Sequence, residues 1–295
     1  MSELQFQQKS DQFFSRKRMP RIVIPTRIQT ISENSFLVSG NLDYFVRYGL
    51  ALVKSHLEKN IEGISLIINC VDFSINIAHN LLLRHFNKNQ LSSIYLIKTD
   101  LKPLGSLTPD QKLSYLKTIR FYVALLLREY IDVNLIICDI DCLITNDKLK
   151  DLYYELTDSN TTLGVGSTLN YLDLGLYKTG QKNYLWRTVK AGFTYFKKGN
   201  KGREALQRIS RCLFNYADAI PPIDELKLYR AYYGDQLAIF FTSIEFNSAP
   251  KNAGHVVRCF GYEDNQIVTF GSNPLIGALW IPPASKRDDN LFILN

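Results

Sequence analysis

Four short, continuously apolar runs that alternate with longer amphipathic stretches constrain the fold more than any other feature of this sequence. The runs are residues 35–39, 64–70, 93–98 and 133–138. Strands that are apolar on both faces lie inside a sheet that helices cover on both sides, and helical crossovers make neighbouring strands parallel. The order therefore predicts an α/β fold with a mostly parallel central sheet flanked by helices.

The stretches between these runs have helical periodicity. Residues 41–59, 75–86 and 110–130 place apolar side chains three and four positions apart. The last stretch follows Thr108, a good N-cap residue, and has Pro109 at its first position. A strand–helix order of this kind suits a nucleotide-binding domain.

The second half of the chain alternates less regularly. Its predicted strands are residues 162–167, 193–196, 256–260 and 267–270, and its predicted helices are residues 202–214 and 233–241. No repeat, low-complexity tract or flexible linker divides the chain. We therefore predict one composite domain over residues 35–295, preceded by a basic N-terminal segment, residues 1–34.

Composition excludes several classes of protein. The chain has 295 residues, of which 46% are apolar and 21% charged, so it is neither disordered nor fibrous. No apolar run approaches the roughly 18 residues of a membrane span, and the N-terminus lacks the apolar core of a signal peptide. Five scattered cysteines indicate reduced thiols rather than a disulfide framework. We expect a soluble, cytoplasmic protein.

The net charge of +7 favours anionic partners. Charge is concentrated at the start of the chain, where two acidic residues stand against Lys9, Arg16, Lys17, Arg18, Arg21 and Arg27. With Phe13 and Phe14 beside it, this cluster is either part of a solvated terminus or a peripheral anchor at the inner face of the membrane. Nucleic acid is not an expected partner, because the other basic residues are dispersed and no recognition motif is present.

The most informative segment is a buried strand that ends in two carboxylates. Asp139 and Asp141 directly follow the apolar run 133–138. Residues two apart in an extended chain point to the same side, and open α/β folds bind ligands at the carboxyl edge of their strands. Two carboxylates that converge there repel each other unless a cation lies between them. The pattern favours Mg²⁺ or Mn²⁺ holding a diphosphate over a pair of solvated loop residues.

Two classes of enzyme carry Asp-x-Asp after a strand. In haloacid-dehalogenase-like phosphatases the motif opens the core domain on its first strand and is followed, two residues on, by Thr or Val. Here Leu143 occupies that place, and three strand–helix units precede the motif. The later acidic pair Asp288-Asp289 has no apolar strand before it. This class is therefore the weaker alternative.

In its motifs the chain resembles the GT-A glycosyltransferases, particularly the glycogenin and galactosyltransferase-like type, over roughly residues 35–260. A helix with Arg120 precedes the Asp139-Ile140-Asp141 strand end, as in that fold. Residues 190–196 are similar to the strand beside the sugar pocket, and residues 233–238 to an Asp-Gln helix start. Ile140 is larger than the middle residue of close relatives, and Gly254-His255 is a loose match to the family's metal-binding histidine.

The resemblance implies a metal site that holds a nucleoside-diphosphate sugar. Asp139 and Asp141 would bind Mn²⁺ or Mg²⁺ against the diphosphate, with Asp139 also close to the ribose, and His255 would be a further ligand. The metal neutralises charge that develops on the leaving diphosphate. Lys286, on a C-terminal segment, would contact the diphosphate.

Other residues are implied in binding the donor. Ser39 and Gly40 end the first predicted strand, where this fold binds the nucleobase, although Gly40 equally suits a plain turn. Asp72, after the second strand, is a candidate for the edge of the base. Arg120 would contact the nucleotide or its phosphates, or else is a surface arginine. Gly192 would lie under the donor sugar.

The resemblance also implies an acceptor site. Asp235 is either the capping carboxylate of a helix that starts after Gly234, or the general base that acts on the acceptor hydroxyl. Residues 35–145 would form the nucleotide-binding half and residues 146–295 the acceptor half. The implied enzyme moves a sugar from a nucleotide donor, such as a UDP-sugar, to a glycan or lipid-linked glycan in surface polysaccharide assembly. The alternative is a non-catalytic sugar-nucleotide or glycan-binding module.

Overall fold

A mixed sheet forms the centre of the protein. The computed structural model describes residues 19–59, 63–144, 149–167, 189–218, 225–248, 254–261 and 279–280. The strands in these ranges are β1 (Arg21–Val23), β2 (Asn34–Gly40), β3 (Ile64–Val71), β4 (Ile94–Asp100), β5 (Asn134–Asp139), β6 (Leu143–Ile144), β7 (Leu163–Ser167), β8 (Val189–Phe196), β9 (Val257–Gly261) and β10 (Leu279–Trp280). The short strands β6 and β10 pair with each other, and the other eight form the central sheet.

Helices cover both faces of this sheet. Besides a single turn, Leu42–Tyr44, they are α1 (Leu50–Glu58), α2 (Ile75–Leu83), α3 (Pro109–Leu127), α4 (Leu149–Asp158), α5 (Asn200–Asp218) and α6 (Glu225–Ser248). Apolar residues of α3, α5 and α6 share one buried cluster with one face of the sheet, and residues of α1, α2 and α4 share a second cluster with the other face. None of the helices in the described ranges is both long and apolar enough to cross a membrane.

The strand order is β1-β4-β3-β2-β5-β8-β7-β9. Strands β4, β3, β2 and β5 are parallel neighbours, so their carboxyl ends meet at one edge. Strand β8 runs antiparallel to β5 and β7, β1 runs antiparallel to β4, and β9 is parallel to β7. The predicted α/β class with a mostly parallel sheet between helices is confirmed.

Several elements differ from the prediction. Strand β1 and the 3₁₀ turn Thr26–Thr30 belong to the fold, although residues 1–34 are predicted as a separate segment. The predicted helix 41–59 contains a π-helical turn, Phe45–Gly49, ahead of α1. Helix α4 is not predicted, although its buried residues Leu152, Tyr153 and Leu156 have helical spacing. The predicted strand 267–270 lies outside the described residues.

Tyr153 ties α4 to the middle of the sheet. Its side chain is fully buried, its hydroxyl donates to the carbonyl oxygen of Ser35 in β2, and it accepts from the amide of Ile136 in β5 at 3.2 Å. The Tyr153 hydroxyl thus forms a hydrogen bond with a backbone group on each of the two parallel strands whose ends form the site described below.

We expect Tyr153→Phe to lower the free energy of unfolding by about 1–3 kcal/mol, because it leaves buried backbone groups without a partner. Urea unfolding measures the loss. Tyr154→Phe is the matched control, since the neighbouring tyrosine is 54% exposed and its change should be close to neutral. Equal effects of the two substitutions would contradict the bridging role.

Candidate active site

The carboxyl ends of β2, β3 and β5 bring three polar side chains into one row. Ser39 is level with Asp139 of β5 on one side and with Asn69 of β3 on the other. Partners at the same level of parallel strands point to the same face, and this is the face that α3 covers. The two predicted residues Ser39 and Asp139 are therefore immediate neighbours.

Arg120 on α3 connects this row to α6. Its Nη1 donates to Oδ1 of Asp139 at 2.5 Å, and its Nη2 donates to Oδ2 of Asp235 at 3.1 Å and to the carbonyl oxygen of Ala191 at 3.2 Å. The Arg120 side chain is 6% exposed, which excludes the alternative that it is a surface arginine. Burial disfavours its charge, but the carboxylates of Asp139 and Asp235 raise its pKa above the ordinary value.

The carbonyl oxygen of Ala191 is available to Arg120 because β8 is irregular at this point. Val165 of β7 pairs with Thr194, whereas the next residue of β7 pairs with Lys190. The three residues between them therefore bulge from the ladder with β7. The antiparallel register with β5 ends where Phe193 pairs with Cys138, so Gly192 and Asp139 are each the next residue beyond the last pair. Gly192 thus lies at the same edge of the sheet as Asp139, and its place under the donor sugar stays a prediction.

Asp235 lies inside α6 and not at its start. The helix begins at Glu225, so the predicted N-terminal capping role does not apply. Both carboxylate oxygens of Asp235 accept hydrogen bonds, Oδ2 from Arg120 and Oδ1 from the amide of Gln236 at 2.8 Å. Burial raises the pKa of Asp235, against the opposing attraction of Arg120. This geometry makes Asp235 the partner that positions Arg120, and the general-base role stays a prediction.

The turn that carries the two aspartates is closed and tightly packed. The amide of Cys142 donates to the carbonyl oxygen of Asp139 at 3.3 Å, and Asp141 is buried. The side chain of Ile140, between the aspartates, fills the space that two glycines leave. A Cβ added to Gly40 would lie 2.8 Å from Cδ1 of Ile140, and one added to Gly49 would lie 3.3 Å from the same atom.

These contacts explain why the large middle residue of the motif is tolerated. Gly40 ends β2, and Gly49 is the last residue of the π-helical turn before α1. Ile140 occupies the volume that a side chain at Gly40 would need. At Gly49 the ring of Phe45 does so first, since its Cδ2 would lie 2.9 Å from an added Cβ. The structure gives Gly40 a packing role beside the predicted nucleobase site.

A buried polar line extends from Ser39 across the sheet. Nδ2 of Asn69 donates to Oγ of Ser39 at 3.1 Å, and Oγ1 of Thr99 donates to Oδ1 of Asn69 at 2.8 Å. Asp72 follows β3 with a positive φ of 59°, and its Oδ1 accepts from the amide of Leu101 at 2.8 Å. The exposed Asp72 therefore fixes the loop after β4 at the same edge, where it was predicted to meet the base.

His255 does not join the carboxylates. Val257, the first residue of β9, is level with Leu135 of β5 through β7 and β8. His255 precedes Val257 by two residues and Asp139 follows Leu135 by four, which places them about 20 Å apart along the strands at about 3.3 Å per residue. This placement corrects the prediction that His255 is a metal ligand.

The partners of His255 are structural. Its Nε2 lies 3.0 Å from Oε2 of Glu204 on α5, and its ring stacks on Phe246 with centroids 3.9 Å apart.

Lys286, the predicted diphosphate contact, lies outside the described residues. Sequence reasoning also missed the contributions of Ala191, Asn69 and Gly49, which act through a carbonyl group, a buried amide and an absent side chain.

The carboxylate pair has the donor chemistry of a Mg²⁺ or Mn²⁺ site. Both metals prefer oxygen ligands, and Asp139 and Asp141 supply carboxylates at the ligand-binding edge of the sheet. Within the described ranges, no group of three or more His, Cys, Asp or Glu side chains is arranged to hold a metal ion. A metal bound by this pair would take its remaining ligands from water and from a phosphate group.

Comparison with known proteins gives matches among solved structures. No protein-family model and no curated protein matches the chain. The galactosyltransferase LgtC, in complex with donor and acceptor sugar analogues, is 15% identical over 68% of this chain and 70% of its own, with a TM-score of 0.39. Mouse xyloside xylosyltransferase 1 is 12% identical over 77% of this chain and 84% of its own, with a TM-score of 0.42. GlyE of Streptococcus pneumoniae is 15% identical over 71% of this chain and 43% of its own, with a TM-score of 0.40.

These similar structures are glycosyltransferases, the kind of enzyme that the sequence motifs resemble. At such identities and TM-scores they carry no argument about donor, acceptor or catalysis in this chain. The geometry around Asp139 carries that argument instead.

We expect Gly40→Ala and Ile140→Val to be coupled. Gly40→Ala forces a methyl group against Cδ1 of Ile140 and should cost about 1–3 kcal/mol of unfolding free energy. Ile140→Val removes that atom and should cost about 0.5–1.5 kcal/mol alone. The double variant should be more stable than the sum of the two losses predicts. Denaturant unfolding of all four proteins measures the coupling, and additive losses would show that the packing contact is unimportant.

The buried carboxyl of Asp235 should make stability depend on pH. Burial raises the pKa of Asp235 in the folded state above its value in the unfolded chain, which is about 3.9. Asp235 therefore contributes most to the unfolding free energy at pH values below about 3.9. Its contribution falls as the pH rises through the pKa of the folded state. The stability of the wild type relative to Asp235→Asn should therefore decrease over this interval. Asp158→Asn controls for the loss of one exposed carboxylate. A relative stability that increases with pH would mean that the attraction of Arg120 outweighs burial.

Proposed function

We propose that this chain is a metal-dependent glycosyltransferase that moves a sugar from a nucleoside-diphosphate sugar to a glycan or lipid-linked glycan. One observation carries the proposal. An aspartate pair ends a parallel strand at the ligand-binding edge of the sheet, and a buried arginine fixes its first member to a second helix. A carboxylate that is held so firmly before any ligand arrives, as that of Asp139 is, suits a site that must position a metal and a diphosphate.

Asp139 and Asp141 would hold Mn²⁺ or Mg²⁺. When bound, the metal supplies Lewis-acid stabilisation of the charge that develops on the leaving diphosphate. Arg120 keeps Asp139 in place, and the Asp139 side chain is still 36% exposed at the edge. Arg120 is itself too buried to reach a phosphate in this arrangement, so we assign it to positioning Asp139 rather than to contacting the donor.

Other residues at the edge would receive the remaining parts of the donor. Ser39 and the loop that Asp72 fixes lie at the ends of β2, β3 and β4, on the side of Asp139 away from β8, and would receive the nucleobase and ribose. Gly192 follows the last pair of β8 with β5, as Asp139 does on β5, and we place the donor sugar there. The acceptor would then approach from the side of α6.

The alternatives fit this geometry less well. The aspartate pair follows β5, which is the last of the four parallel strands in sequence order. A haloacid-dehalogenase-like phosphatase carries its pair on the first strand. A non-catalytic nucleotide-sugar module is distinguished by function, since it binds the donor without turnover. The cytoplasmic setting, the role in polysaccharide assembly and the membrane contact of the N-terminal segment stay predictions from sequence.

The site is tested by Asp139→Asn and Asp141→Asn, singly and together. We expect each to remove most of the Mn²⁺-dependent affinity for UDP and UDP-sugars while the protein stays folded, because neutral amides are poor ligands for hard cations. Isothermal titration with and without Mn²⁺ measures binding, and release of UDP from the donor measures turnover.

Asp158→Asn is the matched control, because this exposed aspartate ends α4 at the opposite end of the sheet and its change should leave binding unaltered. Metal-dependent binding that survives in the double variant would refute the proposed site. Binding by the wild type without any turnover, across a panel of acceptors, would favour the non-catalytic module.

A further inference from the structure

A cavity lies at the outer edge of the parallel strands. Its volume is about 300 Å³, and it opens between α2, the start of β4 and the 3₁₀ turn Thr26–Thr30. Ile94 in its wall is level with Ile136 of β5, three residues before Asp139 and three strands away. At about 3.3 Å per residue and 4.8 Å per strand, the cavity is therefore about 17 Å from the carboxylates.

The cavity exists because β1 is short. Strand β1 pairs only with Lys98, Thr99 and Asp100, so the first half of β4 extends beyond its end. The chain then crosses this gap as the 3₁₀ turn. Nη2 of Arg27 donates to the carbonyl oxygen of Ser92 at 2.6 Å and closes the turn against the loop before β4. A space is left between the turn and α2.

The deep wall of this cavity is apolar. Ile28, Leu82, Leu91 and Ile94 line it, and each is 5% exposed or less. A hydrocarbon group that enters displaces water from a surface already shaped by the fold, which is favourable by about 25 cal/mol per Å² of apolar area removed from water. The volume is at the lower end of the range for small-molecule sites, about 300–1,000 Å³.

The rim of the cavity is basic. Arg27, His79 and Lys88 line it and are exposed, and the described lining residues include no aspartate or glutamate. Arg27 is already held by Ser92 and lies over the ring of Tyr95 at 5.0 Å, so little side-chain freedom is lost when it binds an anion. An apolar wall under a cationic rim is complementary to a molecule with a hydrocarbon body and an anionic end.

We propose that this cavity binds a single-chain anionic amphiphile, an alkyl group that ends in a phosphate or carboxylate. The alkyl group lies against Leu82, Leu91 and Ile94, and the anion lies between Arg27 and Lys88. The site is separate from the carboxylate pair and does not depend on the function proposed for that pair.

Decyl phosphate, below its micelle-forming concentration, is the probe. We expect one molecule to bind per chain in isothermal titration and to raise the unfolding temperature by mass action. Inorganic phosphate tests the anion alone and decanol tests the chain alone, and each should bind at least about tenfold more weakly, since it makes only half of the contacts. Decanoate in place of decyl phosphate distinguishes carboxylate from phosphate as the preferred end.

Two variants locate the site. Lys88→Glu reverses one charge on the exposed rim and should lower the affinity about tenfold or more, as expected for losing a charge-assisted contact. Ile75→Trp places an indole in the cavity from the half-buried first residue of α2 and should lower it similarly. Lys112→Glu, on the exposed start of α3, is the matched charge control and should bind as the wild type does.

The proposal is overturned if decyl phosphate does not bind, or if it binds Lys88→Glu and Ile75→Trp as tightly as the wild type. Lys88 is exposed, so Lys88→Glu keeps the test valid should Ile75→Trp fail to fold. A further experiment measures retention of the protein on phosphatidylglycerol vesicles. Retention on vesicles without binding of decyl phosphate would identify a membrane surface as the partner and would also overturn the proposal.

Discussion

The salt bridge of Arg120 with Asp139 and Asp235 is the interaction on which the candidate site depends. It joins α3, the carboxyl end of β5 and the middle of α6, which are far apart in the sequence. A guanidinium removed from water is costly unless carboxylates and carbonyl groups replace its hydration, and breaking a buried pair of this kind typically costs about 3–5 kcal/mol. The bulge in β8 completes the arrangement, because it frees the carbonyl oxygen of Ala191 as a third acceptor. These elements therefore pack in a register that gives both terminal nitrogens of Arg120 a hydrogen-bond acceptor.

This dependence changes the interpretation of Asp235. On sequence grounds it is either a helix cap or a general base, and both roles assume that its carboxylate is available. In the structure one of its oxygens accepts a hydrogen bond from Arg120, and the other accepts one from the backbone amide of Gln236 in the same helix. Its negative charge helps to keep Arg120 charged and oriented toward Asp139. A substitution of Asp235 would thus act on the carboxylate pair through Arg120 before it acted on any acceptor.

Sequence alone predicts the part of the fold that local patterns determine. The apolar runs match β2, β3, β4 and β5 to within two residues at each end, because strands buried on both faces leave a continuous apolar signal. The short edge strand β1 has no such signal, since only its middle residue, Ile22, is partly covered. The placement of His255 could not be predicted, because it depends on the register of three strands that no local pattern specifies. Likewise, Arg120 has the sequence context of any helical arginine, and only the packing of α3 on the sheet makes it buried.

Three contacts hold Asp139 and the turn that follows it before a ligand binds. Arg120 holds the side chain of Asp139, the turn hydrogen bond from Cys142 holds its carbonyl group, and Ile140 is packed into the space left by Gly40 and Gly49. Each acts on a different part of the turn. A site that is fixed in this way avoids the cost of reorganisation when charge develops nearby, which is the main source of electrostatic stabilisation in enzymes. The unusually large Ile140 therefore contributes rigidity to the motif, and the two glycines are what allow the chain to use it.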